Sequence, residues 1–190
     1  QKIEQAPRLT GMIFREQIVG RVGFTPDGKR FYLSDRIGWG TSGDIGFYET
    51  TTGKLIDSQT MPGPVRSASF SRDGTLLFTA AGERTVTVWD AAEGTVLHTF
   101  DKHDGWVGNQ VGATGDNLLL AVPVRGSKNG IAIWDLQTGN EKYPILKTNK
   151  GCNAVAFSLD GRFLVGATGG NWWGNGNDGA VNVWELLPNQ

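Results

Sequence analysis

The stretch "RTVTVWDAAEGTV", residues 84–96, alternates small or polar residues with Val, closes on a Trp-Asp pair and turns over at Glu-Gly. It is not unique in the chain. "DIGFYETTTGKL" from Asp44, "GIAIWDLQTGNE" from Gly130 and "AVNVWELLPNQ" from Ala180 repeat its pattern of an alternating run ending in an aromatic plus an acid. A second landmark keeps phase with it: "VGFTPDGKRF" from Val22, "ASFSRDGTLL" from Ala68, "VGATGDNLLL" from Val111 and "VAFSLDGRFL" from Val155. The acids of that landmark, Asp27, Asp73, Asp116 and Asp160, lie 46, 43 and 44 residues apart. The strand-end aromatics Tyr48, Trp89, Trp134 and Trp184 lie 41, 45 and 50 apart. Two landmarks sharing one period identify a repeat architecture, and a period of roughly 40–45 residues suits a four-stranded propeller blade.

Composition supports strands and turns. The 190 residues include 28 glycines, about twice the usual share of roughly 7%, and most fall between the alternating runs. Asp-Gly between two apolar runs signals a hairpin, because glycine accepts the positive φ of a tight turn. Each unit therefore reads as an apolar strand, a turn, a second strand, a loop of varying length, the alternating strand that ends in an aromatic, another turn and a fourth strand. Labelled a to d from the axis outward, these make one antiparallel blade. A blade cannot bury both its faces alone, so blades must stack.

The motifs "VTVWD" at 86–90, "IAIWD" at 131–135, "VNVWE" at 181–185, and the turns "FSRDG" at 70–74 and "FSLDG" at 157–161 resemble those of the WD-repeat β-propeller family. The resemblance covers residues 8–187. It implies an all-β fold of four-stranded antiparallel blades, four of them here, and the expected closure is two copies in an eight-bladed ring, against a piece of a longer propeller or a self-closed four-bladed ring. The chain is read as one domain, residues 1–190, with blades at 19–60, 65–100, 107–147 and 152–187. The last is completed by the strand 8–14, "RLTGMIF", supplied across a two-fold axis by a second copy. The sequence departs from the family at two points: Tyr48 stands where Trp is expected, and the Gly-His pair before each inner strand is missing except for His103. The buried network of Asp, His, Ser/Thr and Trp that the resemblance implies is therefore expected to be incomplete.

Chemistry for catalysis is sparse. There are two histidines and one cysteine, so no Ser or Cys nucleophile has an evident base and no metal-ligand spacing occurs. Cys152, at the start of an apolar strand, reads as a small buried residue. "GWGTSG" at 38–43 and "GNGNDG" at 174–179 match G-x-G-x-x-G, but each precedes a strand, whereas a phosphate cradle needs a following helix. In the second motif Asp178 is a lone carboxylate where Ca²⁺ would need six to eight oxygens. No cofactor and no metal are expected. A formal net charge of −1 with interspersed signs provides no basic field for nucleic acid or a membrane surface. No apolar run reaches the roughly 18 residues of a membrane span, and the residues at the start lack the basic and apolar regions of a signal peptide. The compartment stays open between cytoplasm and a bacterial extracytoplasmic space.

What remains is tryptophan. Trp89, Trp134 and Trp184 end third strands and are read as scaffold, as are the turn acids Asp27, Asp73, Asp116 and Asp160. Trp39, Trp106, Trp172 and Trp173 are read as loop residues, and in a blade the b–c and d–a loops share one rim. Blades one, three and four also lengthen their b–c loops. That rim is predicted to bind a protein or peptide through Arg36, Trp39, His103, Asp104, Trp106, Arg125, Lys128, Trp172, Trp173 and Asn175, since Trp and Arg commonly anchor interfaces. Carbohydrate binding or catalysis through the same Trp-rich loops is the alternative.

Overall fold

The computed structural model describes residues 19–35, 43–61, 63–81, 84–101, 103, 105–169 and 179–186. Among these residues sixteen strands fall into four antiparallel sheets, and there is no helix. Sheet one is β1 (Val19–Phe24), β2 (Arg30–Asp35), β3 (Gly43–Glu49) and β4 (Leu55–Met61), paired in that order; sheet two is β5 (Val65–Phe70), β6 (Leu76–Ala81), β7 (Thr85–Asp90) and β8 (Val96–Phe100). Sheet three comprises β9 (Gly105–Val107), β10 (Gly112–Ala113), β11 (Leu119–Gly126), β12 (Gly130–Asp135) and β13 (Glu141–Lys147), and sheet four β14 (Cys152–Phe157), β15 (Phe163–Thr168) and β16 (Ala180–Glu185). The architecture is that of a partial propeller. The segment 8–14 lies outside the described residues, and β16 is an edge strand among them.

The sequence of each strand explains its place. The middle strands of sheets two and three are covered on both faces, as in "LLAVPV" of β11, whereas β15 of sheet four buries alternate residues. The outer strands β4 and β8 instead expose Leu55, Ile56, Val96 and Leu97. Packing between sheets is directional. Phe78, Val86 and Val88 of sheet two meet Val122, Val124 and Trp134 of sheet three. Trp89 turns the other way, into a cluster with Tyr32, Ile45 and Met61 of sheet one. Ile131 and Ile133 of sheet three meet Cys152 and Leu164, with Trp184 packed alongside. At every described junction the Trp face of one sheet covers the opposite face of the sheet before it.

Sheet three departs from the expected single inner strand. Pro123 on β11 has no N–H to donate, and it lies between the residues that pair with β9 and those that pair with β10. The ladder opens there, and the chain between β9 and β10 turns its amides to sheet four, Asn109 N donating to Asn153 O at 2.7 Å.

The two turns of each blade share a rim. Across it Thr50 N donates to Lys29 O, Ala91 N to Thr75 O, Leu136 N to Leu118 O and Leu186 N to Arg162 O, at 2.7–2.9 Å. On the opposite rim Thr148 N reaches Asn129 O at 3.1 Å, joining a b–c loop to a d–a loop.

Candidate functional site: the loop rim of the inner blades

The four turn acids form one repeated device. Thr25, Ser71, Thr114 and Ser158 each donate a hydroxyl hydrogen bond of 2.6–2.7 Å to the Oδ1 of the aspartate two residues later. That same oxygen accepts the backbone N–H two residues further on, at 3.0–3.1 Å. These bonds favour the charged form and hold all four carboxyls below their ordinary pKa, the hydroxyl bond being the largest cause in each. Gly28, Gly74 and Gly161 follow with φ near 70°, and in blade three Asn117 takes the same conformation at φ 58°. The Ser or Thr partner was not singled out in the sequence, although its spacing of two before each acid is regular.

The buried network is indeed partial. Trp89 Nε1 donates to Thr79 Oγ1 at 2.8 Å. Trp89 pairs with Leu77 and Trp134 with Leu120, so Val122 occupies in blade three the place of Thr79 in blade two. Valine offers no acceptor, and Trp134 Nε1 is buried without a hydrogen bond.

His103, expected on the binding rim, is instead only 5% exposed and sits edge-on to Trp134, ring centroids 5.5 Å apart. Burial lowers its pKa to about 4 and keeps it neutral. The ring packs edge-on against the indole with its Nε2 buried and without a hydrogen bond, so among the described residues His103 is covered rather than open on the rim.

Trp106 is also corrected, from loop to strand. It lies on β9 and pairs in register with Arg125 on β11, so two residues expected on the rim are cross-strand neighbours. The Arg66 guanidinium of blade two lies 5.1 Å from the centre of the half-buried Trp106 ring, within cation–π range. Arg125 Nη1 donates to Asn153 Oδ1 of blade four at 2.6 Å, and Asn153 Nδ2 donates to Gly169 O at 2.7 Å. An indole of blade three and a guanidinium of blade two therefore meet, while Arg125, in register with Trp106, ties the same strand pair to blade four. Lys128 is exposed in the turn between β11 and β12. Arg36, Trp39, Asp104, Trp172, Trp173 and Asn175 lie outside the described residues.

Cys152 is fully buried, and burial pushes its thiol up to about 11, away from the thiolate a nucleophile needs. Among the described residues no group of three or more His, Cys, Asp or Glu side chains is arranged to hold a metal ion. No helix among them is long and apolar enough to cross a membrane.

Comparison with known proteins agrees with this architecture. A family model described as "WD domain, G-beta repeat" matches residues 54–90 and 141–185. Each match runs from the outer strand of one sheet through three strands of the next, so the sequence repeat straddles the junction that the packing closes. WD repeat-containing protein 1 of Xenopus tropicalis is 27% identical over 184 residues, covering 92% of this chain and 27% of that protein. Eukaryotic translation initiation factor 3 subunit I of Aspergillus fumigatus is 32% identical over 99 residues, 52% of this chain and 28% of that protein. COMPASS component SWD3 of Saccharomyces cerevisiae is 28% identical over 133 residues, 65% of this chain and 39% of that protein. The chain thus spans between about a quarter and two fifths of the length of these relatives. The phased repeats, the antiparallel sheets and these matches together support a place for the chain in the WD-repeat family of β-propeller proteins.

Proposed function

We propose that this chain is a non-catalytic interaction module that binds a protein or peptide partner on the rim of its b–c and d–a loops. The observation that carries the reading is the Arg66–Trp106 contact between blades two and three, next to Arg125, which pairs in register with Trp106. The Arg125–Asn153 bond and the Arg66–Trp106 stack hold these long side chains in place, so a partner meets them with less ordering entropy left to lose. Two of the relatives are, by name, a subunit and a component of larger assemblies, which suits the same role here. The expected contacts Arg36, Trp39, Asp104, Lys128, Trp172, Trp173 and Asn175 belong to this proposal. Immobilised chain should capture a partner identifiable by mass spectrometry, and replacing Trp39, Trp172 and Trp173 together by Ala should abolish capture. Undiminished capture by that variant would refute the reading, while quenching of its tryptophan fluorescence by a glycan would favour the carbohydrate alternative.

The proposal includes a second copy. Blade one exposes Val22 and Phe24, the latter edge-on to the buried Phe31–Tyr48 stack, while blade four exposes Val165, Val181 and Val183. One is the aromatic face that elsewhere covers a preceding blade, and the other is the face that elsewhere receives it. Two chains related by a two-fold axis would bury both pairs at once. Light scattering should give twice the monomer mass; a stable folded monomer would exclude the dimer.

A further inference from the structure

On the rim opposite Trp106, blades one and two part into a cleft of about 430 Å³. Phe47 and Phe70, both half-buried with ring centroids 6.4 Å apart, line its apolar floor. Asp27, Asp57, Asp73 and Asp90 stand around it, against the cations Lys29 and Arg30. Asp73 is committed on both oxygens, to Ser71 and Thr75 through Oδ1 and to Asn117 through Oδ2. The others are not. Asp27, Asp57 and Asp90 accept local hydrogen bonds on Oδ1 alone, and among the described residues nothing donates to their Oδ2.

The charge around the cleft continues along the rim. Every blade places an aspartate at its first turn and an acid, Glu49, Asp90, Asp135 or Glu185, at the end of its third strand. These eight acids outnumber the cations of the same turns, Lys29, Arg30, Lys54, Arg72, Lys142 and Arg162, of which Lys142 pairs with Asp135 and Arg162 with Glu185. An almost neutral chain is therefore acidic on one rim, a field that attracts cations and repels nucleic acid.

We propose that this cleft is a second docking site, distinct from the loop rim, that takes a basic peptide segment of a protein partner. An apolar side chain of the segment seats on Phe47 and Phe70, and its flanking Lys or Arg residues pair with the Oδ2 atoms of Asp57 and Asp90. An apolar floor walled by carboxylates is complementary to such a segment in both hydropathy and charge.

The probe is a fluorescein-labelled peptide of sequence Arg-Leu-Lys-Arg-Leu-Lys, followed by anisotropy on the full chain. Binding should be saturable and should weaken strongly as salt rises through the range where the Debye length falls from about 10 to about 3 Å. A peptide with Glu at every basic position should not bind. Asp57→Lys, on the exposed strand β4, should weaken binding by about tenfold or more, a decade in affinity being the scale of one lost charge pair at an interface. Glu141→Lys makes the same charge change on exposed β13, away from the cleft, and should leave affinity within about twofold. Equal losses in the two variants would reduce the effect to net charge and overturn the proposal, as would absent binding at low salt. A change in the mass of the chain itself on Asp57→Lys, with peptide affinity unmoved, would make a second copy the occupant and overturn it likewise.

Discussion

Val122→Thr should stabilise the chain, although it places a hydroxyl at a position with no solvent exposure. The expectation rests on register. Thr79 stands two residues beyond Leu77, the partner of Trp89, and accepts that indole's N–H at 2.8 Å. Val122 stands two residues beyond Leu120, the partner of Trp134, whose Nε1 is buried and unbonded. Valine and threonine have nearly the same shape, so the substitution changes hydrogen bonding with little change of packing. Stranding a buried donor costs about 1–3 kcal/mol, and a typical internal hydrogen bond contributes about 1 kcal/mol net. Desolvating the new hydroxyl offsets part of the relief, which leaves a net gain of about 1 kcal/mol. The reciprocal Thr79→Val strands the Trp89 donor and should cost about 2 kcal/mol. Urea unfolding of both variants measures these directly. The control is Val122→Thr combined with Trp134→Phe, in which the hydroxyl has lost its donor and should destabilise. If Val122→Thr destabilised the parent as much as it does the Trp134→Phe chain, the register argument would be refuted.

Other consequences follow from the same network. The pKa of His103 falls from 6.5 to about 4 on folding, so the unfolded chain binds the extra proton first and stability should decline as pH falls from about 6.5 to about 4. The loss is up to about 3 kcal/mol, and His103→Phe should remove this slope in urea melts taken across that window. Asn117→Ala should destabilise by about 1–2 kcal/mol, because alanine is strained at φ 58° and loses the bond from Asn117 Nδ2 to Asp73 Oδ2 at 2.8 Å; calorimetry checks it. Asp73→Ala should cost about 1 kcal/mol by removing turn bonds of the capping kind while leaving capture on the loop rim intact, as the immobilised-chain assay can show. Because the carboxyl of Asp73 is held below its ordinary value, that stabilisation is present above pH about 4 and fades as the solution is acidified through the lowered value.

The fold was legible because its causes are local and repeated. An alternating run with an aromatic at its end and an Asp-Gly turn in fixed phase each specify backbone geometry without reference to the rest of the chain, and together they specify a blade. The split of the inner strand in blade three was less accessible. Pro123 is visible in the sequence, but its effect depends on which neighbour its missing N–H would have faced. Trp106 and His103 were misplaced for a related reason. Both follow an outer strand in a segment rich in polar residues and glycine, which reads as loop, yet cross-strand pairing claims Trp106 and packing on Trp134 buries His103. The acidic cleft could not be read at all, since Phe47 and Phe70 come from different blades and meet only when the junction forms.

Amide hydrogen exchange on the chain, alone and with its captured partner, locates the binding face. Binding on the loop rim should bring new protection in peptides covering 36–42, 105–107, 124–130 and 170–178. Protection confined to the turns at 26–29, 72–75 and 91–94, with the loop rim exchanging as in the isolated chain, would contradict it.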